Sequence, residues 1–155
     1  MFDLAKILSP AGTAVDVEVH SRKRALEWIS ERLCEEHPEL DAREVFSALQ
    51  SRERLGSTGL GEGVAIPHCR TSFTSICGVF VRLRTPIEFD APDGQPVDLL
   101  FGLIVPETEA NEHLKVLASL SRAFADEQIT ARMRAVTNAN ELRAILLEGS
   151  QSAGA

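Results

Sequence analysis

The stretch that most restricts the fold is Val97–Val105, VDLLFGLIV, an apolar run with one charge and one glycine. It is far too short to cross a bilayer, and a run of this length reads as a strand buried on both faces. Such a strand needs partners along both edges and helices above and below. The preceding stretch, SICGVFVRLRTPIEFD, places Cys77, Val79, Val81 and Leu83 on one face at period two, as a half-buried strand does. Pro92, Asp93 and Gly94 form a turn between the two, so they are expected to pair antiparallel.

Helices flank this centre. Ser21 precedes RKRALEWISERLCEEH, where Ala25, Leu26, Ile29 and Leu33 repeat at helical spacing and Pro38 closes the run. Asp41, with Glu44 as capping-box partner, starts a second helix with Val45, Phe46 and Leu49 facing inward and Gly56 as its stop. A third begins near Ala110, with Leu114, Leu117, Leu120 and Phe124 on its core face. Asp126 caps a helix carrying Ile129, Met133 and Val136, and Asn138 with Glu141 caps one carrying Leu142, Ile145 and Leu146. The pattern predicts one α/β (α+β) domain over residues 1–149, a mixed β-sheet flanked by helices, and a disordered tail, SQSAGA, over 150–155.

Charge and cysteine usage narrow the classes. With 23 acidic against 16 basic residues and no cluster of Lys and Arg, nucleic acid is not an expected partner. The N-terminus MFDLAKILSPAG has no signal-peptide pattern, and three cysteines without a CxxC pair fit reduced thiols. A cytoplasmic protein without membrane insertion is expected.

The unusual chemistry lies in RERLGSTGLGEGVAIPHCR, Arg52 to Arg70. Glycines 56, 59, 61 and 63 let a backbone turn its amides toward phosphate oxygens, which makes Ser57, Thr58, Gly59, Gly61 and Gly63 a candidate phosphate-binding loop. It is neither a P-loop nor GxGxxG. A short strand, Val64–Ile66, carries the loop into Pro67 and His68. An unprotonated imidazole fixed at a strand end is a competent nucleophile, and phosphoimidazole is a good phosphoryl donor; a ring that merely ties the loop to the backbone is the other reading. Adjacent ligands at His68 and Cys69 are poor geometry for a metal shared with Cys77 and His113, and none is expected.

LGSTGLGEGVAIPH resembles the active-site signature of the enzyme IIA domains of mannitol and fructose type in the bacterial phosphoenolpyruvate-dependent phosphotransferase system, particularly the nitrogen-related kind. PIEFDAPDGQPVDLLFGLIVPE and EHLKVLASLSRAF are similar to two further blocks of that family. The resemblance implies that His68 accepts a phosphoryl group from a histidine-containing phosphocarrier protein, without metal, nucleotide or other cofactor. It also implies that His113 and Arg52 assist, although Arg54 competes for the latter role and either residue suits a solvated helix position. His113, in the first turn of its helix, could donate a hydrogen bond to the phosphoryl group, and Arg52 could supply a permanent charge. Nδ1 of His68 is the nitrogen more easily tied to the backbone, so phosphorylation is expected at Nε2. Leu60, Val64 and Phe73 are candidates for an apolar docking rim. Cys69 stands where glycine is common in the family, as a tolerated small residue or an oxidisable thiol. Nitrogen-type relatives are mainly regulators, so partners such as kinases or transporters are expected; sugar transport through an enzyme IIB is the alternative.

Overall fold

The computed structural model describes residues 3–73, 75–108 and 110–153. Its chain order is α1 (Leu4–Ile7), β1 (Leu8–Val17), α2 (Arg22–Glu36), α3 (Ala42–Leu55), β2 (Gly59–Gly61), β3 (Val64–Ala65), β4 (His68–Thr71), β5 (Cys77–Ile87), β6 (Val97–Pro106), α4 (Ala110–Ala125), α5 (Glu127–Ala135) and α6 (Ala139–Ala153). The strands form one mixed sheet in the order β1-β5-β6-β3-β2, with β4 also paired to β6.

β6 is the axis of the sheet, as its composition demands. Leu99, Leu100, Phe101, Leu103, Ile104 and Val105 are each at most 1 % exposed. Each such side chain contributes roughly 1.5–3 kcal/mol relative to its exposed state. β5 runs antiparallel to β6, with Phe80 opposite Phe101. Its face bearing Cys77, Val79, Val81 and Leu83 packs with α2 and α3 residues including Ile29, Leu33 and Leu49. The opposite face is covered too: Phe80 meets Phe101 and Phe124 at ring-centroid distances of 6.0 and 5.7 Å. The first half of β5 is therefore buried on both sides, not half-buried, because α2 and α3 cover one face and α4 reaches the other.

The helix caps follow the sequence closely. Ser21 accepts from the Arg24 amide, Asp126 from Gln128 and Ile129, and Asn138 from Glu141. Asp41 accepts from Arg43. Three features differ from expectation. The segment β1, which carries Pro10 and Gly12, is a strand because it pairs in parallel with β5. In α4 the inward stripe is His113, Val116, Leu120, Ala123 and Phe124, with Leu117 half-buried, so Leu114 is left 59 % exposed. Helix α6 continues to Ala153, through the first four residues of the stretch expected to be disordered, and Ser150 is buried there.

The path into the site also differs. The strand that begins at Val64 does not end at His68. Pro67 interrupts it, yet the Pro67 carbonyl still accepts from the Leu103 amide, and β4 resumes along the same edge of β6 with His68 opposite Leu103. Proline removes a donor but not an acceptor, and the length of β6 offers a second stretch of edge to pair with. His68 therefore opens a strand.

Candidate phosphoryl-transfer site

The C-terminal turns of α3, strand β4, Val105 of β6 and the first turn of α4 enclose a cavity of about 560 Å³. Its wall includes Ser51, Arg52, Leu55, His68, Arg70 and His113. Three residues singled out from the sequence, His68, His113 and Arg52, thus come together from segments far apart in the chain. Arg54 is exposed and lies outside this wall.

His68 Nδ1 lies 2.8 Å from the Ile66 carbonyl oxygen. A carbonyl only accepts, so Nδ1 carries the proton and Nε2 presents its lone pair. Burial holds the His68 pKa below its ordinary value; the Ile66 bond opposes this, and the charges of Arg52 and His113 add to it. The ring is consequently kept neutral and nucleophilic. Arg52 Nη1 donates to the Gly56 carbonyl at 2.8 Å, which fixes the guanidinium at the end of α3. His113 is buried, at 8 % exposure, in contrast to a solvated helix position.

The glycine-rich loop lies outside that wall. None of Ser57, Thr58, Gly59, Gly61 or Gly63 lines the cavity around His68. The Thr58 amide donates to Glu53 Oε1 at 3.1 Å and the Gly59 amide to Ser57 Oγ at 3.0 Å; the Glu62 amide is held by Asp93 at 2.9 Å. Ser57 Oγ in turn donates to the Phe89 carbonyl. The Thr58, Gly59 and Glu62 amides are thus committed to acceptors within the protein. Gly63 is required for another reason: its φ is +81°, and an added Cβ would lie 2.6 Å from Arg134 Nη2. Arg134 itself bridges Asp98 and the Glu62 carbonyl. The loop is a brace for the strands that carry His68.

Side chains in and beside the cavity include several that sequence reading passed over. Glu53 is 5 % exposed and accepts from the Thr58 amide and hydroxyl; burial pushes its carboxyl pKa up, against those hydrogen bonds. Arg70 lies two residues after His68 on β4, and Nη2 of Arg70 is 3.5 Å from Nε2 of His113. The i, i+2 spacing from His68 was the available signal. Of the expected rim residues, Leu60 is exposed but faces a different cavity, Val64 is buried at 1 %, and Phe73 packs edge-on to His37. The exposed leucines beside this site are Leu55, 85 % exposed in its wall, and Leu114, next to His113.

Cys69 alternates to the opposite side of β4 and belongs to the cluster under α2 and α3. Burial pushes its thiol, like that of Cys77, up to about 12. That environment gives a small apolar residue, not a reactive thiolate. Cys69 and Cys77 both register with Ile104 from either side of β6. Two strand spacings, about 9.6 Å, are too wide for a disulfide. Among the described residues no three His, Cys, Asp or Glu side chains form a metal-binding group, and no helix is long and apolar enough to cross a membrane.

Comparison with known proteins places the chain in a family. Residues 6–149 match the family model described as "Phosphoenolpyruvate-dependent sugar phosphotransferase system, EIIA 2". The nitrogen regulatory protein of Pseudomonas aeruginosa is 42 % identical over 149 residues, covering 96 % of this chain and 97 % of that one. That of Escherichia coli is 44 % identical over 147 residues, covering 94 % and 90 %. The crystal structure of nitrogen regulatory protein IIA-Ntr from Neisseria meningitidis superposes with a TM-score of 0.88 at 45 % identity, covering 92 % of this chain and 98 % of that one. A six-stranded mixed sheet with the histidine cavity between α3, β4 and α4, matched over nearly its full length, makes this chain a member of the EIIA type 2 family of the phosphoenolpyruvate-dependent phosphotransferase system.

Proposed function

We propose that the chain is a regulatory phosphocarrier: His68 accepts a phosphoryl group from a histidine-containing phosphocarrier protein, and the resulting phosphorylation state is read in nitrogen-related regulation. The observation that carries this reading is the Nδ1 contact to the Ile66 carbonyl, which leaves the Nε2 lone pair of a neutral ring in a cavity with Arg52 and His113 in its wall. In the transfer step, Nε2 attacks the phosphorus of the donor's phosphohistidine. A P–N bond forms at Nε2 as the donor's P–N bond breaks, the electron pair returns to the donor ring, and the proton stays on Nδ1. Arg52 stabilises the equatorial oxygens as a fixed positive charge, and His113 adds a hydrogen bond. Leu55, exposed in the cavity wall, offers an apolar surface on which a carrier protein can dock.

The regulatory reading is supported by the nitrogen regulatory relatives, which are 42–45 % identical and matched over at least 90 % of their own lengths. The rival reading, delivery of the phosphoryl group to a sugar-specific enzyme IIB, uses the same first step. Incubation with phosphoenolpyruvate, enzyme I and the phosphocarrier should place one acid-labile, alkali-stable phosphoryl group on the wild-type chain and none on His68→Ala. Equal labelling of the two would remove His68 from the chemistry. Rapid onward transfer to a fructose- or mannitol-type enzyme IIB would favour the transport reading over the regulatory one.

A further inference from the structure

The cavity holds a second arginine that the family signature does not assign, Arg70. It shares a face of β4 with His68, and both line the same cavity as Arg52 and His113. Strand pleating alternates side chains, so the Cys69 between them is turned into the core while His68 and Arg70 project together. Some arginines here have carboxylate partners, among them Arg82 with Asp16, Arg132 with Glu148 and Arg134 with Asp98. Among the described residues Arg70 forms no such ion pair, and its side-chain contact is with His113 Nε2 at 3.5 Å. No carboxylate is found among the described residues of the cavity wall.

The contact with His113, at 3.5 Å, is long for a hydrogen bond. A phosphoryl dianion on His68 Nε2 would offer the same guanidinium charge-assisted hydrogen bonds about twice as strong as a neutral one, at about 2.7–2.9 Å.

We propose that Arg70 is a second phosphoryl-binding cation, parked against His113 while His68 is bare and transferred to the phosphoryl oxygens once His68 carries the group. The exchange replaces an exposed guanidinium by a neutralised one, so the surface around the site differs between the two states. Arg52, bonded to the Gly56 carbonyl, is the fixed charge of the pair, and Arg70 is the moving one.

The inference rests on His68 as phosphoryl acceptor, and the test separates the two. Wild type, Arg70→Gln and Arg70→Lys are phosphorylated through enzyme I and the phosphocarrier, with kcat and KM for the carrier measured and the Arg Nε–Hε and His113 ring resonances followed by NMR. The expected result is a kcat lowered about tenfold in Arg70→Gln with KM little changed, partial recovery in Arg70→Lys, and a shift of the Arg70 and His113 resonances on phosphorylation. Rescue of the rate by the charge of Arg70→Lys, together with movement of the Arg70 Nε–Hε resonance on phosphorylation, is what a merely structural arginine would not produce. Wild-type kcat in Arg70→Gln, or Arg70 and His113 signals that stay in place when His68 is phosphorylated, would overturn the proposal and leave His68 as acceptor. A wild-type chain that takes up no phosphoryl group would overturn both.

Discussion

The glycine-rich loop and the His68 cavity are joined by only a few residues of chain, yet their polar groups are disposed in opposite ways. In the loop, the Thr58, Gly59 and Glu62 amides all have protein acceptors, and Glu53, Ser57, Asp93 and Arg134 are spent on holding it. In the cavity, the Nε2 lone pair of His68 and the guanidiniums of Arg52 and Arg70 face open volume. A region whose hydrogen bonds close internally is a scaffold; one that presents a nucleophile and unneutralised cations is built for a visiting anion. Glycine richness alone does not tell the two apart.

The largest effect that sharpens this contrast is expected at Arg52. Arg52→Ala should slow phosphoryl uptake about a hundredfold in single-turnover kinetics, as loss of a group aimed at developing charge does. Its neighbour Arg54, exposed and outside the cavity, serves as the control, and Arg54→Ala should keep the wild-type rate. Equal losses in both would mean that net charge, not placement, matters.

On the loop side the expected effect falls on stability. Thr58→Val removes the hydroxyl donor to the buried Glu53 carboxyl while roughly preserving volume. The cost should be about 2 kcal/mol, a fall in Tm of about 4–8 °C by calorimetry, with the uptake rate of the folded protein unchanged. A folded Thr58→Val protein unable to accept phosphate would break the comparison by returning the loop to the chemistry.

The smallest effect concerns pH. Because the folded His68 pKa lies below its ordinary value near 6.5, the folded protein binds fewer protons on this ring than the unfolded chain does. The stability linked to His68 is therefore fully present above about pH 6.5 and is lost as pH falls through that value toward the folded pKa. Urea denaturation should show a shallower loss between about pH 6.5 and 5 in His68→Asn than in wild type. Phosphoryl uptake by wild type should stay level as pH falls to 6.5 and decline only below it. A decline beginning above pH 7 would mean that the ring titrates at or above its ordinary value.

Much of the fold was legible because its signals are local. Ser21, Asp126 and Asn138 cap the helices that the apolar spacing marks, and the antiparallel pairing of β5 with β6 follows from a tight turn between two apolar runs. β1 was not legible, since LSPAGTAVDV carries Pro10 and Gly12 and owes its strand state to a parallel partner some seventy residues away. Nor was the rotation of α4: the leucine spacing suits either of two adjacent stripes, and packing on the sheet selects the one that buries His113 and leaves Leu114 out. At the site, the signature drew attention to His68 as well as to its glycines. What separates their roles is long-range: Glu62 to Asp93, Ser57 to Phe89, and α4 folding His113 over β4. Arg70 was in plain view two residues beyond His68, but its significance depends on His113, 43 positions further on.

Phosphorylation is expected at a single nitrogen, and long-range ¹H–¹⁵N and ³¹P NMR of the phosphorylated chain identifies it directly. The expected result is a phosphorus coupled to Nε2 of His68, with Nδ1 still protonated and bonded to the Ile66 carbonyl. Phosphorus on Nδ1, or on any residue outside the cavity, would contradict it.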